Sequence, residues 1–524
     1  MFRVVTLALC LLAAAPAAAV SDPVKAAAEA LGGAKALAGI RSLTVSGSVT
    51  HWEPEQSLVP GGEPRLAGES SFTQSRDLTT GASHTEWVRK LVYPAPREYK
   101  FTEVIAGGIG WVSGVDSTTR TKQSLDSNPP QHAMSGLRVA AALREMQRTS
   151  PRLVADLLAD PRAVSRVPDE ELNGKMLPTV SYRKGNYELE VLFDPATRLP
   201  AAVRSHDYDN NYGDSTYDLL LSDWRTVGGV KVAHALEYRL NDIVIARAKL
   251  DRVTLNPKLA ADTFAIPDAI RASASKAATG YVPWQWVLRR QNIGVYLDSD
   301  KVAFDPAAPG LKFTEIAKGV SHVTGGTHNS LVVEMKDYLI VFDAPIGETQ
   351  SRFTIAQANA KYPGKPIRYL VLTHHHMDHM GGAKTFVADG AAVIVGPGAG
   401  EHVTKLLRRP RGLDGEGGPV ALPSVEVIEI AETKVLGDGS RSVGVYVVEN
   451  PHAKGLVIGY IPDVRLGFVT DIFSPGRDKL GEKLTGGQAA LVAAVKKYNL
   501  NPERFAGGHG TSMPYAELVA LDGK

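Results

Sequence analysis

The sequence predicts an α/β protein in two parts: a mostly antiparallel β region with one or two helices, then an α/β sandwich. Three observations predict this. At 524 residues the chain exceeds one ordinary core. From Leu43 to about residue 255, short alternating apolar runs are separated by turn residues, the pattern of an antiparallel meander. From Lys312 onward, strand-like runs and helical runs alternate around two blocks. Apolar content of 44% and charged content of 22% are those of a globular chain. A formal net charge of +2 argues against nucleic-acid binding by bulk electrostatics.

Residues 1–19 read as a leader outside the fold. Arg3 supplies a positive start, Val4 to Ala14 is apolar but too short for a bilayer, and Ala17-Ala18-Ala19 fits a small-x-small cleavage site. The expectation is an exported product, periplasmic or secreted, cleaved after Ala19. The only cysteine, Cys10, falls inside this leader. The mature chain therefore forms no disulfide and must build any metal site from His, Asp and Glu. No other run of about 18 apolar residues suggests a membrane span.

Residues 20–270 are expected to form the first domain. Pro23 to Leu37 reads as a helix or helical pair interrupted at Gly32-Gly33. Leu43, Val45 and Val49 alternate with small polar residues in the first strand. Further strands are expected at Ser83–Val92, Glu98–Ile105, Thr179–Lys184, Tyr187–Phe193, Ala201–His206, Ser215–Trp224, Val230–Tyr238 and Ile243–Val253. Turns such as Lys184-Gly185-Asn186 and Val227-Gly228-Gly229 punctuate them. One longer helix is expected from about Ser135 to Leu158. Three stretches, Phe193 to Pro200, Gly229 to His234, and Leu255-Asn256-Pro257 through Phe264 to Pro267, resemble the curved half-barrel of periplasmic lipoprotein carriers. The resemblance implies a sheet able to wrap an apolar ligand. Packing against its own helix and the second domain is the competing expectation.

Residues 271–311 read as a connector, Ala/Ser-rich at first and closed by Asp305-Pro306-Ala307-Ala308-Pro309-Gly310. Trp284 and Trp286 within it either line a cleft or pin it to a domain surface; pinning is the expectation. Residues 312–524 form the second domain. Strands at Val320–Val323, Ser330–Met335 and Tyr338–Phe342 lead to a helix over Glu348–Tyr362 and a buried strand at Tyr369–Leu372. Later strands are expected at Ala391–Val395, Val425–Ile430, Val443–Glu449, Leu456–Ile461, Leu466–Thr470 and Phe505–Gly508, with a helix over Gly487–Tyr498. The basic insert near Arg409–Gly418 reads as a solvated loop, and His402 as lying on an exposed helix.

The chemistry is concentrated just after the strand at Tyr369–Leu372. Thr373-His374-His375-His376-Met377-Asp378-His379-Met380-Gly381-Gly382 puts four histidines and an aspartate within six residues. Imidazoles and a carboxylate at a strand end suit zinc or iron. Crowded imidazoles repel once protonated, so a solvated histidine loop is a poor explanation. His452, Asp471 and His509 each follow a predicted strand and fit the same centre.

His-x-His-x-Asp-His followed by a separate His, Asp and His resembles the metallo-β-lactamase superfamily over about residues 312–524. The resemblance implies an αββα sandwich with two zinc ions at one edge. It implies that His374, His376 and His452 hold one ion, that Asp378, His379 and His509 hold the other, and that Asp471 bridges them. His375 has no ligand counterpart there and is expected to face away or support the ligands from behind. Asp343 matches the aspartate that ends an early strand and braces the metal loop. His328 and Asn329 border the cleft and, with Lys454, are candidate substrate contacts.

The expected function is an exported zinc-dependent hydrolase acting on a small-molecule ester, lactone, thioester or amide. Metal-bound hydroxide would be the nucleophile and Asp378 would move the proton. β-Lactamase-like amide hydrolysis is one alternative, although the superfamily's β-lactamases usually lack the bridging aspartate. A mononuclear iron dioxygenase is a second, and a carrier of apolar ligands with a secondary metal domain a third. Substrate and oligomeric state are not legible in the chain.

Overall fold

The computed structural model describes residues 22–117, 131–294, 298, 310–413 and 424–522. The leader with Cys10, most of residues 295–309 and part of the basic insert lie outside these.

Thirteen strands of the first region pair in one linear antiparallel sheet, with Ser42–Glu53 between Arg65–Asp77 and Ile243–Leu255. Period-two alternation explains its two faces: Leu43, Val45, Gly47, Val49, His51 and Glu53 are all buried. The helix Gly136–Arg148 covers that side, started by Ser135, whose hydroxyl accepts the Arg138 N–H. The single helix expected over Ser135–Leu158 is two, Gly136–Arg148 and Leu153–Ala159. Pro151 lies in the break, where a missing N–H and a bulky ring disfavour continuation. Six strands of the first region were not expected from the sequence: Arg65–Asp77, Ile109–Gly114, and the three-residue strands Gln131–Ala133, Val164–Arg166, Glu170–Leu172 and Lys175–Leu177. The first is long but mostly polar, so apolar alternation does not reveal it.

The connector is more structured than expected. Trp284–Asn292 is a helix whose Trp284, Trp286 and Val287 join the core beneath the first region's helices. Both tryptophans therefore pin the connector. The same helix carries Arg289 into a closed ionic cluster. Its guanidinium meets Glu53 at 3.1 Å, Glu55 at 2.8 Å and Asp209 at 2.5 Å, and all four side chains are buried.

The second region has two facing sheets. A seven-stranded sheet runs from Lys312–Ala317 through Val427–Glu429, and a six-stranded one from Thr433–Gly437 through Ser512–Pro514. Phe342, Val371 and Ile394 of the first sheet pack on Val445, Val457 and Phe468 of the second. Phe342 and Phe468 stand 5.6 Å apart, ring centre to ring centre. Helices Glu348–Lys361 and Ala383–Ala388 cover one outer face, and Gly486–Lys497 covers the other. This is the αββα layering.

The two regions share packing. Tyr212, Tyr217, Leu240 and Ile245 of the large sheet join the core behind the seven-stranded one. Arg411 of the basic insert also docks here, while Pro410, Gly412 and Leu413 stay exposed. Asp214 accepts the Gly412 and Leu413 N–H groups at 2.7 and 2.9 Å, and buried Arg411 pairs with Glu348. Among the described residues, no helix is long and apolar enough to cross a membrane.

Candidate metal centre

The strand Ile367–Val371 delivers the histidine loop to the edge of the sandwich, and a single helical turn, Met377–Met380, follows it. In the extended part, alternate side chains point to opposite sides. His374 and His376 thus face the centre while His375 faces away. The next two residues of the motif that matter, Asp378 and His379, come from the helical turn. Gly381 and Gly382 let this turn approach the loop after Phe342. A Cβ on Gly381 would lie 2.2 Å from Ile346 O, and one on Gly382 2.3 Å from Gly347 O.

Two groups of ligand atoms result, each gathered within 4.8 Å: His374, His376, His452 and Asp471; and His328, Asp378, His379 and His509. Asp471 joins them. Its Oδ2 is 2.9 Å from His452 Nε2, and its Oδ1 is 2.7 Å from His509 Nε2 and 3.0 Å from His379 Nε2. Asp471 and Asp343 both follow strands and both have φ of 59°, a left-handed backbone that aspartate tolerates better than most residues.

The far ring nitrogens show how each imidazole is oriented. His376 Nε2 donates to Ser57 O at 2.9 Å, His379 Nδ1 to Asp343 Oδ2 at 2.8 Å, and His509 Nδ1 faces Thr327 O at 3.2 Å. Each turns its other nitrogen toward the centre. Asp343 is fully buried and also accepts the Thr373 N–H at 2.7 Å and hydroxyl at 2.8 Å, so it braces both ends of the loop.

The electrostatics suit a cation. Burial, then neighbouring imidazoles, holds His374 and His376 well below the ordinary histidine range, which leaves them neutral. Burial opposes charge on Asp471, yet His379, His509 and His452 hold its carboxyl well below the usual range. Burial likewise opposes charge on His379, but Asp471 and Asp343 together raise it well above. His374 Nε2 is buried without a hydrogen-bond partner. The neutral imidazoles of His374 and His376, an orphaned ring nitrogen and a shared buried carboxylate fit divalent metal.

The description Metallo-beta-lactamase superfamily matches residues 323–509. That stretch is a metallo-β-lactamase superfamily domain. No curated protein matches the chain. Similar solved structures include a metallo-beta-lactamase from Pontibacter korlensis, at 18% identity over 41% of this chain and 100% of that one, TM-score 0.32. The metallo-beta-lactamase FIM-1 from Pseudomonas aeruginosa, in its mono-zinc form, is 19% identical over 41% of this chain and 95% of that one, TM-score 0.31. The sec-alkylsulfatase Pisa1 from Pseudomonas sp. is 16% identical over 40% of each chain, TM-score 0.31. The domain is thus a metallo-hydrolase of this superfamily with two candidate His/Asp metal groups.

Other residues singled out in the sequence take varied places around the superfamily domain's centre. His375 Nε2 lies 2.9 Å from Ser57 O, outside both ligand groups. His328 sits deeper than a cleft-border residue: its Nε2 is 3.1 Å from Asp378 Oδ2 and its ring centre 4.2 Å from that of His509. Burial pushes its imidazole down to about 4. Asn329 is taken up by structure, its amide donating to Gly507 O and Gly510 O at 2.9 Å each, which secures the loop bearing His509. Lys454 has an exposed side chain, and its backbone N–H donates to Leu58 O. His402 is half-buried, its ring centre 6.0 Å from that of His375, because Gly61 of the first region comes against it.

The largest addition comes from the first region. The short helix Pro54–Gln56 continues Ser42–Glu53 onto the metal loop. Gln56 Nε2 donates to Asp378 Oδ1 at 2.7 Å, and the Tyr93 hydroxyl donates to Gln56 Oε1. Arg65 donates to His452 O at 3.0 Å and stacks over Tyr93. The mouth of the centre is therefore shared: Arg65, Tyr93 and Pro94 face His452, Asp471 and Ile472. No motif in the sequence marks Gln56, Ser57 or Tyr93.

Proposed function

We propose that this protein is an exported dinuclear zinc hydrolase that cleaves an ester-type bond in a small molecule: an ester, lactone, thioester or amide. The observation that carries the reading is Asp471, whose two oxygens turn to different ligand groups. His374, His376 and His452 would hold one ion, Asp378, His379 and His509 the other, with Asp471 between. His328 Nε2 stands at the second group as a further donor. Bound there, a metal pair supplies a Lewis acid and brings a water's pKa toward neutrality.

The chain's own residues do the rest. Asp378 Oδ1 accepts from the Gln56 amide, and Oδ2 lies within the second ligand group, 3.1 Å from His328 Nε2. From Oδ2 a proton taken from water is returned to the leaving group. Burial opposes charge on Asp378, but the hydrogen bond from His328 and the His379 charge keep its carboxyl well below the ordinary range. It is therefore ionised at neutral pH. Tyr93 fixes the orientation of the Gln56 amide, and Gln56 fixes the Asp378 carboxylate. Export rests on the leader in residues 1–19.

Metal analysis by mass spectrometry on purified protein should find about two zinc per chain. One iron per chain would overturn the dinuclear zinc reading. A panel of lactones, thioesters, aryl esters, β-lactams and phosphodiesters identifies the bond, with Asp378→Ala as control. Full activity in that variant would remove Asp378 from the proton path.

A further inference from the structure

The first region encloses a cavity of about 290 Å³ between the inner face of its sheet and the helices Gly136–Arg148 and Trp284–Asn292. Much of its wall is apolar: Val45, Val49, Phe72, Trp87, Ala248 and Leu250 line it. At this volume it stands near the lower end of ligand pockets.

The charges on its wall are unevenly matched. Arg138 meets three carboxylates, Glu103, Asp116 and Asp298. Arg289 also meets three, Glu53, Glu55 and Asp209. Arg76 and Arg148, which lie together at another part of the wall, are different. Arg76 donates to Thr149 Oγ1 and to Met146 O, both uncharged, and its Nε is buried with no hydrogen-bond partner. Arg148 donates to Val203 O, Tyr217 O and Gln285 Oε1. Among the described residues, the one carboxylate in ion-pair range is Glu145, 3.5 Å from Arg148. Both guanidinium groups are almost fully buried, Arg76 at 4% exposed and Arg148 at 2%. Burial pulls Arg76 down to about 10, still charged at neutral pH. Two buried cations thus share one anion beside an apolar hollow, an arrangement that is costly unless another anion completes it.

We propose that this cavity binds an anionic amphiphile, a medium-length aliphatic chain ending in a carboxylate. The chain occupies the apolar wall and the head lies against the Arg76 and Arg148 pair. The site is separate from the metal centre, and its occupancy does not depend on the hydrolase reading.

The test is calorimetric titration of the full chain with decanoate, decanol and decyltrimethylammonium, all below micelle formation. Decanoate should saturate at one per chain and bind at least about tenfold more tightly than decanol, with the cation weakest. Arg76→Met should bring decanoate down to the decanol affinity. Ala248→Phe, which fills the hollow, should abolish binding of both. No saturable binding of decanoate, or equal affinity for all three head groups, overturns the proposal. That comparison uses the unmodified chain, so it stands even if a variant fails to fold. Metal content measured on the same sample reads the hydrolase proposal separately.

Discussion

Arg289→Met should expose how the two halves of the molecule are tied. The substitution keeps an aliphatic chain in place but removes the charge that faces Glu53, Glu55 and Asp209. Those carboxyls are buried, and the remaining cation nearby is Arg290, 3.2 Å from Glu53 and 3.8 Å from Glu55. Removing one partner of a buried ion pair typically costs about 3–5 kcal/mol. Here three carboxylates lose their main partner, so the upper part of that range is expected. The pH dependence is specific. Burial already raises the Glu55 carboxyl well above its ordinary value, against the pull of Arg289. Without Arg289, the Glu55 carboxyl titrates still higher in the folded state, against about 4 in the unfolded chain. The folded state then binds more protons, so the variant loses stability as pH rises through that window. Urea unfolding of wild type and variant at pH 5 and pH 8, followed by tryptophan fluorescence, measures both quantities; Trp284 and Trp286 sit on the affected helix. A loss below about 1 kcal/mol at pH 8, or a larger loss at pH 5 than at pH 8, would refute the reasoning. Because Glu53 and Glu55 precede Gln56 and Ser57, the variant should also weaken the wall over the metal loop.

Further outcomes follow from the same geometry. Gln56→Ala removes a hydrogen bond to the Asp378 carboxylate, worth about 1.5–3 kcal/mol; hydrolysis should fall by about tenfold or more in kcat with bound metal unchanged, as checked by parallel kinetics and metal analysis. Chelation should lower Tm, and returning zinc at 100 times its Kd should restore about 2.7 kcal/mol of stability, read by thermal melts; unchanged melts would argue against metal in the fold. Asp471→Ala should release both ions, whereas His452→Ala should release one first, which native mass spectrometry distinguishes. Burial and then Arg411 pull the Lys384 ammonium down to about 8. Its folded pKa lies below the unfolded value, so wild-type stability should gain a component between about pH 8 and 10.4; Lys384→Met should lose that rise in a pH series of melts.

The metal motif was legible because its information is local. His374, His376, Asp378 and His379 occupy one strand end and one helical turn, so spacing alone brings them near each other. The strand-end positions of His452, Asp471 and His509 were legible for a related reason: apolar runs show where strands stop, and in a layered fold those ends gather at one edge. Alternation in Ser42–Glu53 also revealed its buried face. What hid Arg65–Asp77 was a polar face without apolar rhythm, although its Phe72 and Arg76 help enclose a cavity.

Only the tertiary structure decided how the two regions meet. Gln56 reaches Asp378 across 322 residues of sequence, and Ser57 reaches His376 across 319. Such contacts depend on how a sheet edge docks, and side-chain periodicity carries no information about docking. The same holds for His328, placed beside Asp378 by a hairpin closing on the loop, and for Arg289, carried by an apparent connector into a buried acidic pocket. The sequence by itself pointed to the candidate His and Asp residues that the structure gathers, and to the layered domain that presents them. Tertiary packing determined which groups orient those ligands, because burial and long-range hydrogen bonds arise only once the two regions pack.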